Sequence, residues 1–184
     1  MSRGNILLHL SGSIACFKAC ALADLLVKDG YAVQTTASAG ALRFIGAATL
    51  EGLTGRPVLT DLFGGKPDFI PHITLAQRWA DLIIAYPASA NLINRMDAGM
   101  CDDLFGAVCL ANNFRKPLLL APAMNSEMFG HPSVRESLAM LGRWGVRVLA
   151  TGEGRLACGA VGKGRVLEPE LALDEIRGAL CASS

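Results

Sequence analysis

No apolar run in the 184-residue chain approaches the roughly 18 residues needed to cross a bilayer. The run from Ile6 to Leu10 is too short for the core of a signal peptide, so the sequence argues against export. An excess of either charge is also missing. The 17 Lys and Arg stand against 16 Asp and Glu, a formal net charge of +1, which offers no basic field for nucleic acid or anionic lipid. The six cysteines, Cys16, Cys20, Cys101, Cys109, Cys158 and Cys181, contain no CxxC pair, and several sit inside apolar helical patterns. That usage points to reduced thiols in a cytoplasmic protein rather than to disulfides or a metal site. Internal repeats, low-complexity segments and a second domain are absent too. What the chain has in quantity is apolar. A hydrophobic content of 52% and a mean hydropathy of +0.38 are high for a soluble monomer and predict surface buried between subunits.

The apolar segments are short and alternate in period. Asn5 to Leu10 reads as a buried strand broken by Ser11-Gly12-Ser13, and helical spacing runs from Ile14 to Lys28 before Asp29-Gly30. Tyr31 to Thr36 reads as a second strand, followed by Ala37-Ser38-Ala39-Gly40 and a helix from Ala41 to about Leu53. The stretch from Thr60 to Pro71 has no periodicity, and such a loop in a compact domain is usually functional or mobile. A helix over Ile73 to Ala80, a strand over Asp81 to Ala85 and helices from Asn91 to Met96 and from Asp102 to Ala111 come next. Leu118 to Ala121 and Val146 to Ala150 read as strands on either side of a helix from Ser133 to Arg143. Parallel strands need crossovers, so this alternation predicts a single α/β domain, residues 1–184. Its sheet is doubly wound and parallel, flavodoxin-like or Rossmann-like, with helices on both faces.

The loops at the strand ends carry the chemistry. A strand, a tight turn at Gly12-Ser13 and a helix N-terminus present free N–H groups to a phosphate. Gly12 lacks the further glycines of the dinucleotide fingerprint, so a mononucleotide fits better than NAD, and an ordinary βα turn capped by Ser13 fits equally well. Ser38 is a second contact of this kind or simply a helix cap. Pro87-Ala88-Ser89-Ala90-Asn91 and Pro122-Ala123-Met124-Asn125 follow neighbouring strands, and two such loops build one crevice. Asn125 also reads as a helix cap, and Met124 and Met128 as core residues. His72 ends the long loop, where a surface or capping role competes with catalysis, and His9 and His131 are weaker candidates. Gly152, Gly154, Gly159, Gly162 and Gly164 surround Cys158, which excludes a stable helix or central strand and predicts a flexible flap over 152–168. Arg155, Lys163 and Arg165 make this segment cationic and suited to a carboxylate or phosphate, although Walker spacing is absent.

Taken in order, Gly12-Ser13-Ile14-Ala15, His72-Ile73, Pro87 to Asn91, Pro122 to Asn125 with Met128, Leu156-Ala157-Cys158-Gly159 with Gly162, Gly164 and Arg165, and Glu168-Pro169 cover nearly the whole chain. In this set the sequence resembles the homo-oligomeric flavin-containing cysteine decarboxylases. The resemblance implies FMN bound by Gly12, Ser13, Ile14, Ser38, Phe44, Pro87, Ala88, Ser89 and Ala90. It implies His72 as the active-site base, Asn125 as the amide that holds the substrate carboxylate, and Cys158 as a flap cysteine. Asn91, Ala123, Met124, Met128 and Arg165 are expected to contact substrate. A trimer, or a dodecamer of trimers, with active sites between subunits is expected, which would account for the apolar composition.

Within that family the chain is most similar to enzymes of coenzyme A biosynthesis that decarboxylate phosphopantothenoylcysteine. Peptidyl-cysteine decarboxylases, which act on a peptide's C-terminal cysteine and release an aminoenethiol, are the near alternative. A non-catalytic flavin-binding regulatory subunit is the alternative of another class. A cysteine carboxylate has no electron sink, and oxidation of the thiol to a thioaldehyde creates one, so loss of CO2 gives an ene-thiolate. In this scheme His72 assists deprotonation, Asn125 aligns the carboxylate, and Cys158 donates a proton when the ene-thiol is reduced.

Overall fold

Strand β1 (Asn5–Leu10) is buried from Ile6 onward, and its side chains alternate between the two faces of a sheet. Ile6, Leu8 and Leu10 pack with Leu22 and Leu26 of α1 (Cys16–Lys28) and with Ile176 of α8 (Pro169–Ala182). Leu7 faces the other way, into a cluster with Leu92 and Ile93 of α4 (Ala90–Asp97) and Phe105 and Val108 of α5 (Leu104–Asn112). A strand apolar on both faces belongs inside a parallel sheet covered on both sides. The computed structural model, which describes residues 2–64, 70–155 and 161–182, shows that sheet.

Its five strands run in the order β2 (Ala32–Ala37), β1, β3 (Leu82–Ala88), β4 (Leu118–Pro122) and β5 (Arg147–Val148), and all neighbours are parallel. This is the flavodoxin-like order, in which the chain reverses its winding between β1 and β3. The remaining elements are α2 (Ala47–Thr54), α3 (Pro71–Ile73) continuing as a π-helical turn over Thr74–Trp79, α6 (Ser126–Gly130) and α7 (Pro132–Arg143). Strands β6 (Gly152–Arg155) and β7 (Val161–Arg165) form a separate antiparallel ribbon. Cys16, Cys20, Cys101, Cys109 and Cys181 are free thiols. Among the described residues no helix is long and apolar enough to cross a membrane.

Several boundaries differ from those read in the sequence. The helix expected over Ala41 to Leu53 is a 3-10 turn at Ala41–Arg43, then α2, because the backbone at Gly46 is extended (φ −73, ψ 143). Strand β3 runs on through Tyr86 and Pro87 to Ala88. Its register with β4 shifts between Ala85 and Ala88, where Pro87 has no N–H for the ladder. Strand β5 has only Arg147 and Val148 of the five residues expected. The glycine-rich segment holds an antiparallel ribbon with a register shift between Gly152 and Glu153, a pairing that a two-residue side-chain period cannot announce when glycines interrupt both strands. Helix α8 is an element that the sequence reading did not anticipate.

Candidate cofactor and active site

The carboxyl ends of β1 and β3 open into a cavity of about 1170 Å³ at the point where the winding reverses. Open α/β sheets bind ligands there, since the loops diverge in opposite directions and leave a crevice.

Ser11 holds the two loops together. Its Oγ donates to the Pro87 carbonyl at 2.8 Å and accepts the Ser89 amide at 2.7 Å, and its own amide reaches the Pro87 carbonyl at 3.2 Å. The β1 turn then meets the β2 turn backbone to backbone. A Cβ on Gly12 would lie 3.2 Å from the Gly40 carbonyl carbon. Among the described residues, no protein group accepts the N–H groups of Gly12, Ser13 and Ile14, which stand just ahead of α1. Unpaired amides at the N-terminus of a 13-residue helix suit an anion such as a phosphate. Ser13 Oγ accepts the Ala15 amide at 3.3 Å and Ser38 Oγ the Ala41 amide at 3.2 Å, so both hydroxyls also cap their turns.

The next wall comes from α4 and α6. Ser89 Oγ caps α4 by accepting the Leu92 amide at 3.3 Å, and Asn125 Oδ1 accepts the Glu127 amide at 2.7 Å at the start of α6. The Ala123 amide donates to the Ala88 carbonyl at 2.9 Å, which ties the Asn125 loop to the end of β3. Strand β7 closes on the same loop. The Met124 amide donates to the Gly164 carbonyl at 3.0 Å, and Gly164 has φ +121 with no room for a Cβ, which would fall 2.4 Å from the Met124 carbonyl oxygen. Apolar side chains flank the mouth, with Ile14 58%, Phe44 52% and Met128 50% exposed. They offer a flat ligand an apolar surface and leave area for a further partner.

The charged groups around the cavity are paired. Glu168 accepts from Lys18 Nζ at 2.7 Å and lies 3.0 Å from the Arg165 guanidinium, and the Lys18 ammonium holds its carboxyl below the usual range. Arg95 bridges Asp102 and Asp103, which also line the cavity, and Asp103 Oδ1 caps α5 by accepting the Gly106 amide at 2.8 Å.

Of the residues expected at the site, Gly12, Ser13, Ile14, Ser38, Phe44, Ser89 and Ala90 line the cavity. So do Asn91, Ala123, Met124, Asn125, Met128 and Arg165. Pro87 and Ala88 do not: as the end of β3 they act through their carbonyls, on Ser11 and Ala123. His72 lies in α3 away from this chain's cavity, with Nδ1 buried and unpartnered among the described residues. Cys158, like Leu156, Ala157 and Gly159, lies outside the described residues. Sequence reading missed Ser11, Lys18 and Arg95. Ser11 was visible as the residue that breaks β1, and Lys18 as the cation within an apolar helix.

Unpaired amides at one end, small-residue loops beneath and apolar side chains around the mouth define an α/β protein whose crevice suits a ligand with a phosphate and a flat ring. The chain belongs to the Flavoprotein family, whose model matches residues 1–180, and a flavin is therefore the cofactor class. It is 42% identical over 171 residues to the coenzyme A biosynthesis bifunctional protein CoaBC of Bacillus subtilis, which covers 92% of this chain and 41% of that protein. The chain thus spans about two fifths of that relative. A structure of a PPC decarboxylase mutant complexed with pantothenoylaminoethenethiol aligns with a TM-score of 0.86 at 30% identity, covering 95% of this chain and 96% of that one. The FMN binding protein AtHal3 aligns with a TM-score of 0.84 at 30% identity over 95% of each chain. These matches bear out the resemblance to the flavin-containing cysteine decarboxylases and the flavodoxin-like fold.

Proposed function

We propose that this chain is an FMN-dependent cysteine decarboxylase, a carbon-carbon lyase that acts on phosphopantothenoylcysteine in the cytoplasm. One observation carries the reading. The cavity joins the unpaired amides of the Gly12 turn, the Ser89 loop, the Asn125 amide and the Arg165 guanidinium around one space.

FMN fits these residues. Its phosphate suits the Gly12 to Ile14 amides and the positive end of α1, and Ser89 and Ala90 are small enough for a ring to approach the backbone. When bound, the flavin supplies the two-electron oxidation that turns the substrate's thiol into a thioaldehyde, the electron sink for loss of CO2. Asn125 is fixed by its bond to the Glu127 amide and orients the carboxylate beside the breaking bond. Arg165, anchored on Glu168, is placed to balance the substrate's negative charge. His72 removes a proton in this scheme and Cys158 returns one. Because His72 stands outside its own chain's cavity, it would serve the cavity of a second copy, in keeping with a trimer or dodecamer.

Mass spectrometry after incubation with phosphopantothenoylcysteine tests the reading. A loss of about 44 mass units marks the saturated thiol and about 46 the ene-thiol, according to whether the electrons return to the product. Conversion of a cysteine-ended peptide instead would favour the peptidyl-cysteine reading. Flavin binding with neither substrate consumed would favour a non-catalytic subunit.

A further inference from the structure

Among the described residues His9 is the one imidazole that lines the cavity. It sits near the carboxyl end of β1 opposite Thr36 of β2, and it is 4% exposed. Two contacts fix it. Nδ1 lies 2.9 Å from Thr36 Oγ1, and the ring stacks on Phe105 of α5 with centroids 3.9 Å apart and planes 8° from parallel. Both neighbours are uncharged, and burial pushes the imidazole down to about 3, so it is neutral at ordinary pH.

Nδ1 is used, but no protein group among the described residues meets Nε2. Polar atoms sealed in the core without a partner include Thr35 Oγ1 and His72 Nδ1, whereas His9 Nε2 is not sealed, because the ring borders the cavity. A histidine so immobilised presents one polar atom to the ligand at a fixed angle. A structural histidine serving only the core would have both nitrogens satisfied there.

We propose that His9 contacts the cofactor through Nε2, as a neutral hydrogen-bonding group that positions the flavin's uncharged ring or ribityl chain and not its phosphate. The inference rests on the flavin reading above. An imidazole with a hydroxyl and a phenyl ring as its neighbours adds a directional hydrogen bond and no charge, which suits an amide edge or a hydroxyl. The anion has its own place at the Gly12 turn. Thr36 and Phe105 are positioning residues here, acting through the imidazole.

The test is FMN titration of the flavin-free protein by flavin fluorescence, with visible spectra and midpoint potentials of the loaded forms. His9→Phe keeps a ring to stack on Phe105 and removes Nε2. It is expected to weaken FMN roughly 5- to 15-fold, the worth of one hydrogen bond, and to shift the flavin's visible bands or potential. His9→Gln, whose amide can reach the same space, is expected to recover part of the affinity and move the bands back. Thr36→Val, which frees the ring, is expected to weaken FMN by a smaller factor. If His9→Phe folds poorly, the Gln and Val variants carry the test. Wild-type affinity, spectrum and potential in the folded variants would overturn the proposal for His9. Failure of the unaltered protein to bind FMN would instead overturn the flavin reading.

Discussion

Ser11 and Ser89 are joined by one hydrogen bond that spans the point where the sheet reverses its winding: the Ser89 amide donates to Ser11 Oγ at 2.7 Å. The same hydroxyl donates to the Pro87 carbonyl at 2.8 Å, so a single side chain sets the spacing of the β1 and β3 loops. Ser11→Ala leaves the Ser89 amide without that acceptor. The expected cost is about 1–3 kcal/mol of stability, read by denaturant unfolding, with a parallel loss of flavin affinity. Unchanged stability would mean that the loops do not depend on this bond.

Gly164→Ala tests the seat of the ribbon. Its φ of +121 and the 2.4 Å approach to the Met124 carbonyl leave no room for a methyl group, so β7 must lift from the Asn125 loop. The strain is of the order of 1–3 kcal/mol. Turnover is expected to fall while flavin binding persists, because the ribbon is seated on the loop of Asn125, the proposed carboxylate contact. A variant with native KM and kcat would contradict this placement.

Stability should depend on pH through His9. Its folded pKa lies near 3, whereas an unfolded chain takes up the proton near 6.5. The stabilisation is present above about 6.5 and is lost progressively as pH falls toward 3, because only the unfolded state binds the extra proton, with a slope approaching roughly 1.4 kcal/mol per pH unit. Comparing unfolding of the unaltered protein and His9→Phe between pH 7 and pH 4 isolates this contribution, and the variant should show the shallower slope.

His72→Asn is expected to abolish CO2 release and spare flavin binding, since the residue lies outside its own chain's cavity. Mixing His72→Asn with an Asn125→Ala variant should restore part of the activity if His72 serves the cavity of another copy. No recovery on mixing, with exchange of subunits demonstrated, would argue against a shared site.

Cys158→Ser is expected to convert an enzyme that forms the saturated thiol into one that releases ene-thiol. Mass analysis that finds the same product in both would remove Cys158 from the reaction.

Much of this arrangement was legible in the sequence, and particular residues explain why. The apolar run Ile6 to Leu10 could only be a strand buried on both faces, and β1 has the bounds read for it, Asn5–Leu10. The small residues after β1, β2, β3 and β4 marked the strand ends that converge on one cavity. The extension of β3 to Ala88 was hidden because proline is a strand breaker by type, and only the register shift between Ala85 and Ala88 accommodates it. Ser11 was passed over because its importance lies in partners distant in sequence, Pro87 and Ser89. His9 reads as only a weaker candidate within a buried strand, since neither its stack on Phe105 nor its opening to the cavity follows from β1 alone.

The most direct test of the central claim is release of labelled CO2 from phosphopantothenoylcysteine labelled at the cysteine carboxyl carbon, by the purified protein loaded with FMN. Labelled CO2 is expected in proportion to substrate consumed, dependent on the flavin and lost in His72→Asn. Flavin-loaded protein that releases no labelled CO2 from this substrate would contradict it.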